Sequence, residues 1–142
     1  MEKIQVLNYI NTTSQKVFDA LTTEKGLAET WTSQLRVKPE RGFINEFYFV
    51  DERPVQMKII EIDPNIKLTW ECLGYEPEWV GTTVSLDVFE RDAVTTVVLQ
   101  HSGWKSTNDF FRWCTYNWSM FLFSLKLYCE DGQGLPFQRR KF

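Results

Sequence analysis

The residue best suited to acid–base chemistry is His101, the only histidine in the chain. An imidazole titrates near neutral pH and can therefore serve as a general acid or base. The nearest candidates for a carboxylate partner, Asp87, Glu71 and Glu46, fall on the opposite side of their predicted strands. One histidine cannot form a metal site alone. We therefore expect no catalytic residue and no metal ion, with His101 either a core residue whose ring nitrogens are bonded or a contact to a ligand.

The candidate nucleophiles are three cysteines and several serines. Cys72, Cys114 and Cys129 form neither an even set nor a close C-x-x-C pair, so they predict neither a disulfide framework nor a zinc site. The serines lack a Gly-x-Ser-x-Gly elbow, and the glycines form no phosphate-binding loop. We expect reduced, buried thiols, no cofactor, and the cytoplasm as the location.

Charge and hydropathy exclude two classes of partner. The formal net charge is −3, from 19 acidic and 16 basic residues spread along the chain, so nucleic acid is not expected as a partner. The N-terminal segment lacks the apolar core of a secretory signal. Residues 110–129 approach membrane-spanning length but contain Arg112, Asn117 and Lys126, which argue against a membrane span. The length of 142 residues suits one domain, residues 1–142.

The order of elements predicts an α+β fold. Residues Ile4 to Ile10 alternate as a strand would, and two short helices follow, the second capped by Thr23 and ending near Trp31. From Leu35 to Gly103 the pattern has a period of two, broken by turn signals, which indicates about five further strands. Strands this close in sequence pair antiparallel. We expect a curved antiparallel sheet of about six strands.

Residue alternation assigns the two faces of that sheet. Polar residues such as Lys58, Glu71 and Asp87 fall on one face, which is expected to be solvated. The opposite, concave face carries the large apolar side chains together with an asparagine and the histidine: Phe43, Asn45, Phe47, Phe49, Met57, Ile59, Leu68, Trp70, Cys72, Val84, Leu86, Val88, Val97, Leu99 and His101.

A long last helix should lie across the concave face. It is predicted to begin at Asn108 or Asp109 and to end at Asp131, with Gly132 as the C-cap. Its apolar residues form two stripes. The first stripe is expected to face the sheet and consists of Phe111, Cys114, Trp118, Phe121, Leu122, Leu125 and Cys129. The second, which we call the outer stripe, consists of Trp113, Tyr116, Met120, Phe123 and Leu127.

The outer stripe requires a cover, because an open apolar patch of this size would be adhesive. We expect the tail around residues 135–137 and the two short helices to cover it, with a symmetric homodimer as the alternative.

A helix across a concave sheet also leaves a gap that favours an apolar ligand cavity. Its expected polar contacts are His101 and Thr115, with Trp31 at the mouth and residues 74–81 as either a lid or a plain hairpin. The predicted lining is Trp31, Phe47, Phe49, Met57, Trp70, Leu86, Leu99, His101, Phe111, Thr115, Trp118 and Leu122.

Four segments carry a resemblance to a known family. They are NTTSQKVFDALTTEKGLAETW, EIDPNIKLTWE, the run from His101 to Trp104, and the spacing of Trp118, Leu122, Leu125, Tyr128 and Gly132. Together they resemble the helix-grip (START/SRPBCC) superfamily, and most closely the branch named after the activator of the heat-shock-protein ATPase. The resemblance implies a sheet gripped by a long C-terminal helix. Two positions depart from the pattern, Asn117 in place of glycine and Phe18 in place of tryptophan.

Three functions remain open from the sequence. The absence of paired catalytic groups favours a small-molecule binding protein that holds a hydrophobic or amphipathic ligand. The resemblance implies a second function, in which a co-chaperone-like domain stimulates a heat-shock ATPase. The third is an enzyme of the cyclase or dehydratase type that uses His101, with or without a tyrosine.

Overall fold

Seven strands and three α-helices make up the protein, and the computed structural model describes all residues from 1 to 142. The strands form one antiparallel sheet in the order β1-β7-β6-β5-β4-β3-β2. The elements in chain order are β1 (Glu2–Ile10), α1 (Ser14–Thr22), α2 (Glu24–Thr30), β2 (Gln34–Arg36), β3 (Ile44–Tyr48), β4 (Val55–Asp63), β5 (Lys67–Gly74), β6 (Thr83–Arg91), β7 (Val94–Trp104), α3 (Asp109–Asp131) and a 3-10 turn (Phe137–Arg139).

The sheet has seven strands, so the expected number of about six was wrong. The additional strand is β2, which has three residues and pairs with β3 through Leu35 and Phe47. A strand of three residues is too short to show a period of two in the sequence. The run from His101 to Trp104 continues β7 past a bulge at Gly103, where φ is +101°.

Side chains cap the start of both short helices, and the cap predicted at Thr23 is confirmed. Thr13 Oγ1 accepts from the Lys16 N–H at 3.2 Å and begins α1. Thr23 Oγ1 accepts from the Gly26 N–H at 3.1 Å and begins α2 directly after it. Such hydroxyls satisfy backbone donors that a helix leaves free at its start.

The predicted bounds of α3 are confirmed. Asn108 Oδ1 accepts from the Phe111 N–H at 3.0 Å, and Gly132 ends the helix in the left-handed conformation with φ +83°. Asn8 Nδ2 on β1 donates to the Leu122 carbonyl oxygen at 3.1 Å, and Lys126 Nζ donates to the Tyr9 carbonyl oxygen at 2.7 Å. These contacts hold α3 along β1. No helix in the structure has both the length and the apolar character needed to cross a membrane.

The predicted faces of the sheet are confirmed by burial. Inward residues of β3 to β7 join the first stripe of α3, except the half-buried Phe111, in one core cluster of 28 buried side chains. Met57, Trp70, Leu86 and Leu99 are fully enclosed there. The burial of apolar surface in this core supplies the main free energy that holds α3 on the sheet.

The outer stripe of α3 is open to solvent, so the cover that we expected from the tail and the short helices was wrong. Trp113 is 46% exposed, Tyr116 55% and Phe123 51%. The tail instead packs on α2 and leads Phe137 onto Phe49, with the ring centroids 5.3 Å apart. Among the rings of the tail, only that of the terminal residue, Phe142, reaches the outer stripe.

Candidate functional site

His101 lies within a chain of hydrogen bonds that joins β7 to α3 and to the segment before β6. The Trp118 Nε1–H donates to His101 Nδ1 at 3.1 Å, so Nδ1 carries no proton. His101 Nε2 lies 2.8 Å from Thr82 Oγ1 and donates to it. The Thr82 hydroxyl donates in turn to the Trp79 carbonyl oxygen at 2.6 Å. Both ring nitrogens are therefore occupied, and the imidazole is the neutral Nε2–H tautomer.

Burial keeps this imidazole neutral. The residue is 0% exposed, and burial lowers the pKa of His101 from 6.5 to about 3. Aromatic rings enclose it, with the centroid of Trp79 at 4.9 Å and that of Trp104 at 5.0 Å. An imidazole without a free nitrogen is poorly suited to proton transfer or metal binding near neutral pH.

Side chains fill the middle of the space between α3 and the sheet. Trp31 stacks on Trp70 with a centroid distance of 5.8 Å, and its ring lies 5.2 Å from that of Trp118. Six of the residues predicted to line a cavity are fully buried in this packing: Phe47, Met57, Trp70, Leu86, Leu99 and Leu122. Two others make contacts of their own, Phe111 against Trp104 at 5.2 Å and Thr115, whose hydroxyl donates to the Phe111 carbonyl oxygen at 2.8 Å.

The cavity lies at the end of that space, where α3 begins. It has a volume of about 300 Å³, and eleven of its fourteen lining residues are hydrophobic. Three of the predicted residues, Trp31, Phe49 and Trp118, belong to its wall. The other lining residues are Val50, Val55, Tyr75, Glu76, Trp79, Phe110, Trp113, Cys114, Asn117, Phe137 and Arg140.

Two loops at the rim of the cavity are fastened to one another. The Tyr75 hydroxyl donates to Asp51 Oδ2 at 2.9 Å, and the Arg53 guanidinium lies 4.5 Å from the centre of the Tyr75 ring. The backbone N–H of Arg53 and the Tyr75 hydroxyl lower the pKa of Asp51. Residues 75–82 also fold inward, so that the ring of Trp79 stacks on Trp118 at 5.7 Å. This segment is therefore part of the cavity wall.

The C-terminal tail forms another part of the rim. Phe137 lines the cavity, and Arg140 lies beside it. Arg140 Nε donates to the Leu135 carbonyl oxygen at 2.8 Å, and its Nη2 donates to the Thr30 carbonyl oxygen at 3.0 Å. These two bonds fix the guanidinium between the tail and the end of α2.

The thiols are poor nucleophiles in this fold. Cys114 lies in the cavity wall, where burial raises its pKa to about 12. Burial likewise raises the pKa of Cys72 and of Cys129 to about 11. Because the thiolate is the reactive form, these values disfavour covalent chemistry. No three side chains from His, Cys, Asp and Glu come together as a metal site would require.

Sequence reasoning missed most of the cavity wall, and one signal pointed to it. Trp79 and Tyr75 are large rings in a turn-rich segment, where exposed aromatic side chains are costly. Phe137 and Arg140 gave no such signal, because their place depends on the path of the tail after Gly132. Trp113 was assigned to the outer stripe and also borders the cavity.

Comparison with known proteins agrees with this architecture. A family model described as "Activator of Hsp90 ATPase homolog 1-like protein" matches residues 11–130. The solution structure of the Aha1 dimer from Colwellia psychrerythraea is 32% identical, with a TM-score of 0.87 over 94% of this chain and 100% of that chain. A search of curated proteins found no match.

Two more distant structures share the fold. Protein MLL2253 from Mesorhizobium loti is 17% identical, with a TM-score of 0.80 over 92% of this chain and 98% of that one. Protein SSP2350 from Staphylococcus saprophyticus is 18% identical, with a TM-score of 0.76 over 94% and 95%. The helix-grip fold implied by the sequence resemblance is confirmed. Because the family model covers well over half of the residues, the chain belongs to the family of Activator of Hsp90 ATPase homolog 1-like proteins.

Proposed function

We propose that this protein binds a small hydrophobic or amphipathic molecule in the cavity at the start of α3. The supporting observation is the cavity itself, with about 300 Å³ of space and a wall in which eleven of fourteen residues are hydrophobic. Pockets for small molecules are typically concave, mostly apolar and provided with a few polar groups. The volume lies at the small end of the usual range, which favours a ligand of modest size.

The chemistry of the wall favours binding over catalysis. Its thiol, that of Cys114, is held protonated by burial, and His101 is separated from the cavity by the indole to which it is bonded. The wall therefore offers neither a free imidazole nor a reactive thiolate for acid–base or nucleophilic catalysis. We therefore assign no reaction to the cavity, and the cyclase or dehydratase alternative gains no support.

A titration of tryptophan fluorescence tests this proposal, because four indoles line the cavity: those of Trp31, Trp79, Trp113 and Trp118. The probes are decanol, decanoate and 1-naphthol. We expect at least one of them to produce a saturable change. If none binds, the proposal is wrong.

Two cysteines on the same buried stripe of α3 give matched variants for this test. Cys114 lines the cavity, whereas Cys129 lies in the core four turns further along the helix. Leucine is larger than cysteine, so Cys114→Leu should occupy part of the cavity. In a closely packed site this loss of space should weaken ligand binding about tenfold or more. Cys129→Leu should leave binding unchanged. Equal binding by both variants would place the ligand elsewhere.

We also propose that the protein forms a homodimer through the outer stripe of α3. Residues 113, 116, 120, 123 and 127 follow one another at intervals of three and four, the spacing of a helix-to-helix seam. Three of these side chains are about half exposed. The relative from Colwellia psychrerythraea is itself a dimer, which supports a second copy as the partner.

Sedimentation velocity can test the dimer with a pair of equivalent substitutions. Phe123→Glu places a charge in the middle of the outer stripe and should yield a monomer. Phe89→Glu makes the same change at an exposed ring on the back of the sheet and should leave a dimer. A wild-type monomer, or a dimer in both variants, would refute the proposed interface.

Stimulation of a heat-shock ATPase is a second candidate function. The description of the family model and the 32% identity to an Aha1 protein favour it. The measurement is ATP hydrolysis by purified Hsp90 with and without this protein. A rate unchanged at saturating protein would remove this candidate.

The three unpaired, buried thiols suit a reducing compartment, and we propose the cytoplasm as the location of the protein.

A further inference from the structure

The cavity wall contains a cation that has no counter-ion within the chain. Three of its fourteen residues are polar, namely Glu76, Asn117 and Arg140. None of the ion pairs in the structure includes Arg140, although its neighbour Arg139 reaches Glu29 at 3.5 Å. Arg140 is only partly exposed, and burial lowers its pKa to about 10, so the guanidinium stays charged at neutral pH.

The hydrogen bonds of Arg140 leave part of its donor capacity unused. A guanidinium carries five N–H groups. Nε and Nη2 donate to the backbone carbonyl oxygens of Leu135 and Thr30, while Nη1 makes no hydrogen bond within the chain. A partly buried charge without a counter-ion is costly. An anion that reached Nη1 would offset that cost.

The other two polar residues of the wall do not take this role. Asn117 carries no charge, and its Nδ2 already donates to the Trp113 carbonyl oxygen at 2.7 Å, so it offers an anion at most one neutral N–H. Glu76 accepts from the Glu78 N–H at 3.4 Å and adds negative charge to the side of the rim formed by residues 75–82. An anionic group is therefore repelled from that side and drawn towards the tail, where Arg140 lies.

We infer that the ligand is an amphipathic anion, with its apolar body among the rings of the cavity and its carboxylate on the Arg140 guanidinium. This inference rests on the proposed binding function. Arg140 selects the class of ligand, because a guanidinium pairs with planar carboxylates through two parallel hydrogen bonds or one charge-assisted bond. The same residue fastens the tail, so the two roles need separate readouts.

Three probes of equal chain length separate charge from apolar burial. Decanoate, decanol and decyltrimethylammonium are titrated at neutral pH, below their aggregation limits, with tryptophan fluorescence as the signal. We expect decanoate to bind about tenfold or more tightly than decanol, the ratio that one charge-assisted hydrogen bond supports. Decyltrimethylammonium should bind most weakly.

Variants at two adjacent arginines complete the test. Arg140→Gln should remove the preference for decanoate while decanol still binds, and Arg140→Lys should restore part of that preference because the charge returns. Arg139→Gln removes the same charge one residue away, outside the cavity wall, and should keep the wild-type preference.

The possible failures are distinguishable. Equal affinity for decanoate and decanol in the wild type, or tighter binding of decyltrimethylammonium, would overturn the anionic class and leave the binding function intact. If Arg140→Gln weakens the binding of decanoate and of decanol equally, the residue only holds the tail in place and does not bind the carboxylate. Failure of all three probes to bind the wild type would overturn this inference, and failure of 1-naphthol as well would remove the proposed function with it.

Discussion

Burial of a neutral His101 should make the free energy of unfolding depend on pH. Replacement of His101 by glutamine removes the titrating group and so isolates its contribution. In the folded protein the imidazole is neutral and fully bonded, and its pKa is about 3, whereas an exposed histidine in the unfolded chain titrates near 6.5. Below pH 6.5 the unfolded chain therefore binds a proton that the folded protein does not. Stability conferred by this residue is fully present above the unfolded pKa and is lost as the pH falls from 6.5 towards 3.

The magnitude follows from the two pKa values. The whole interval from 6.5 to about 3 corresponds to about 5 kcal/mol of unfolding free energy. Carboxylates titrate in the lower part of this range, so the informative part lies above about pH 5. Between about pH 8 and about pH 5, protonation of the unfolded chain at this one site should remove about 2 kcal/mol.

Urea unfolding followed by tryptophan fluorescence at these two pH values measures the effect. The control is His101→Gln, because a glutamine can accept from the Trp118 Nε1–H and donate to Thr82 Oγ1 without titrating. We expect the variant to be about 1–3 kcal/mol less stable than the wild type at about pH 8. Its unfolding free energy should then change little down to about pH 5.

The comparison is clear because the chain has no other histidine. If the wild type and His101→Gln lose the same unfolding free energy between the two pH values, the imidazole is not held neutral by burial. A wild type that gains stability on acidification would show that the folded protein binds the proton more readily than the unfolded chain, the reverse of what we expect. Either result would also weaken the view that His101 is unavailable for chemistry.

Packing, capping and burial give three more expected outcomes. Gly134→Ala should lower the urea midpoint and cost about 1–3 kcal/mol, because a Cβ there meets the Glu29 carbonyl oxygen, while Gln133→Ala should be neutral. Asn108→Ala should cost about 1 kcal/mol through loss of the cap of α3, compared with little for Thr107→Ala. A thiol reagent should modify the folded protein slowly and the urea-unfolded chain fast, at all of Cys72, Cys114 and Cys129.

Much of the fold could be predicted because its signals are local. The alternation that places Trp70 and Leu86 inward needs only a few consecutive residues. The ends of α3 follow from Asn108 and Gly132, whose side chain and backbone freedom suit caps. β2 escaped prediction because its three residues span barely more than one repeat of a period of two, too few to show alternation.

The position of the cavity could not be predicted in the same way. Alternation identifies which side chains point inward, but not which of them leave space between them. That outcome depends on the bulk of Trp31, which fills the middle of the space, and on the inward path of residues 75–82. It depends also on the tail, where the close approach of Gly134 to α2 directs Phe137 and Arg140 to the rim. These are long-range contacts with no period in the sequence.

The two proposed sites share one residue, and this makes them dependent on each other. Trp113 lines the cavity and is also the first member of the outer stripe of α3, with 46% of its surface exposed. A second copy on the outer stripe would contact the outer side of the same indole that a ligand contacts from within. Any shift of this ring on occupancy of one site alters the contacts at the other. Because such coupling is reciprocal, a ligand that binds the dimer more tightly than the monomer must strengthen the dimer by the same factor.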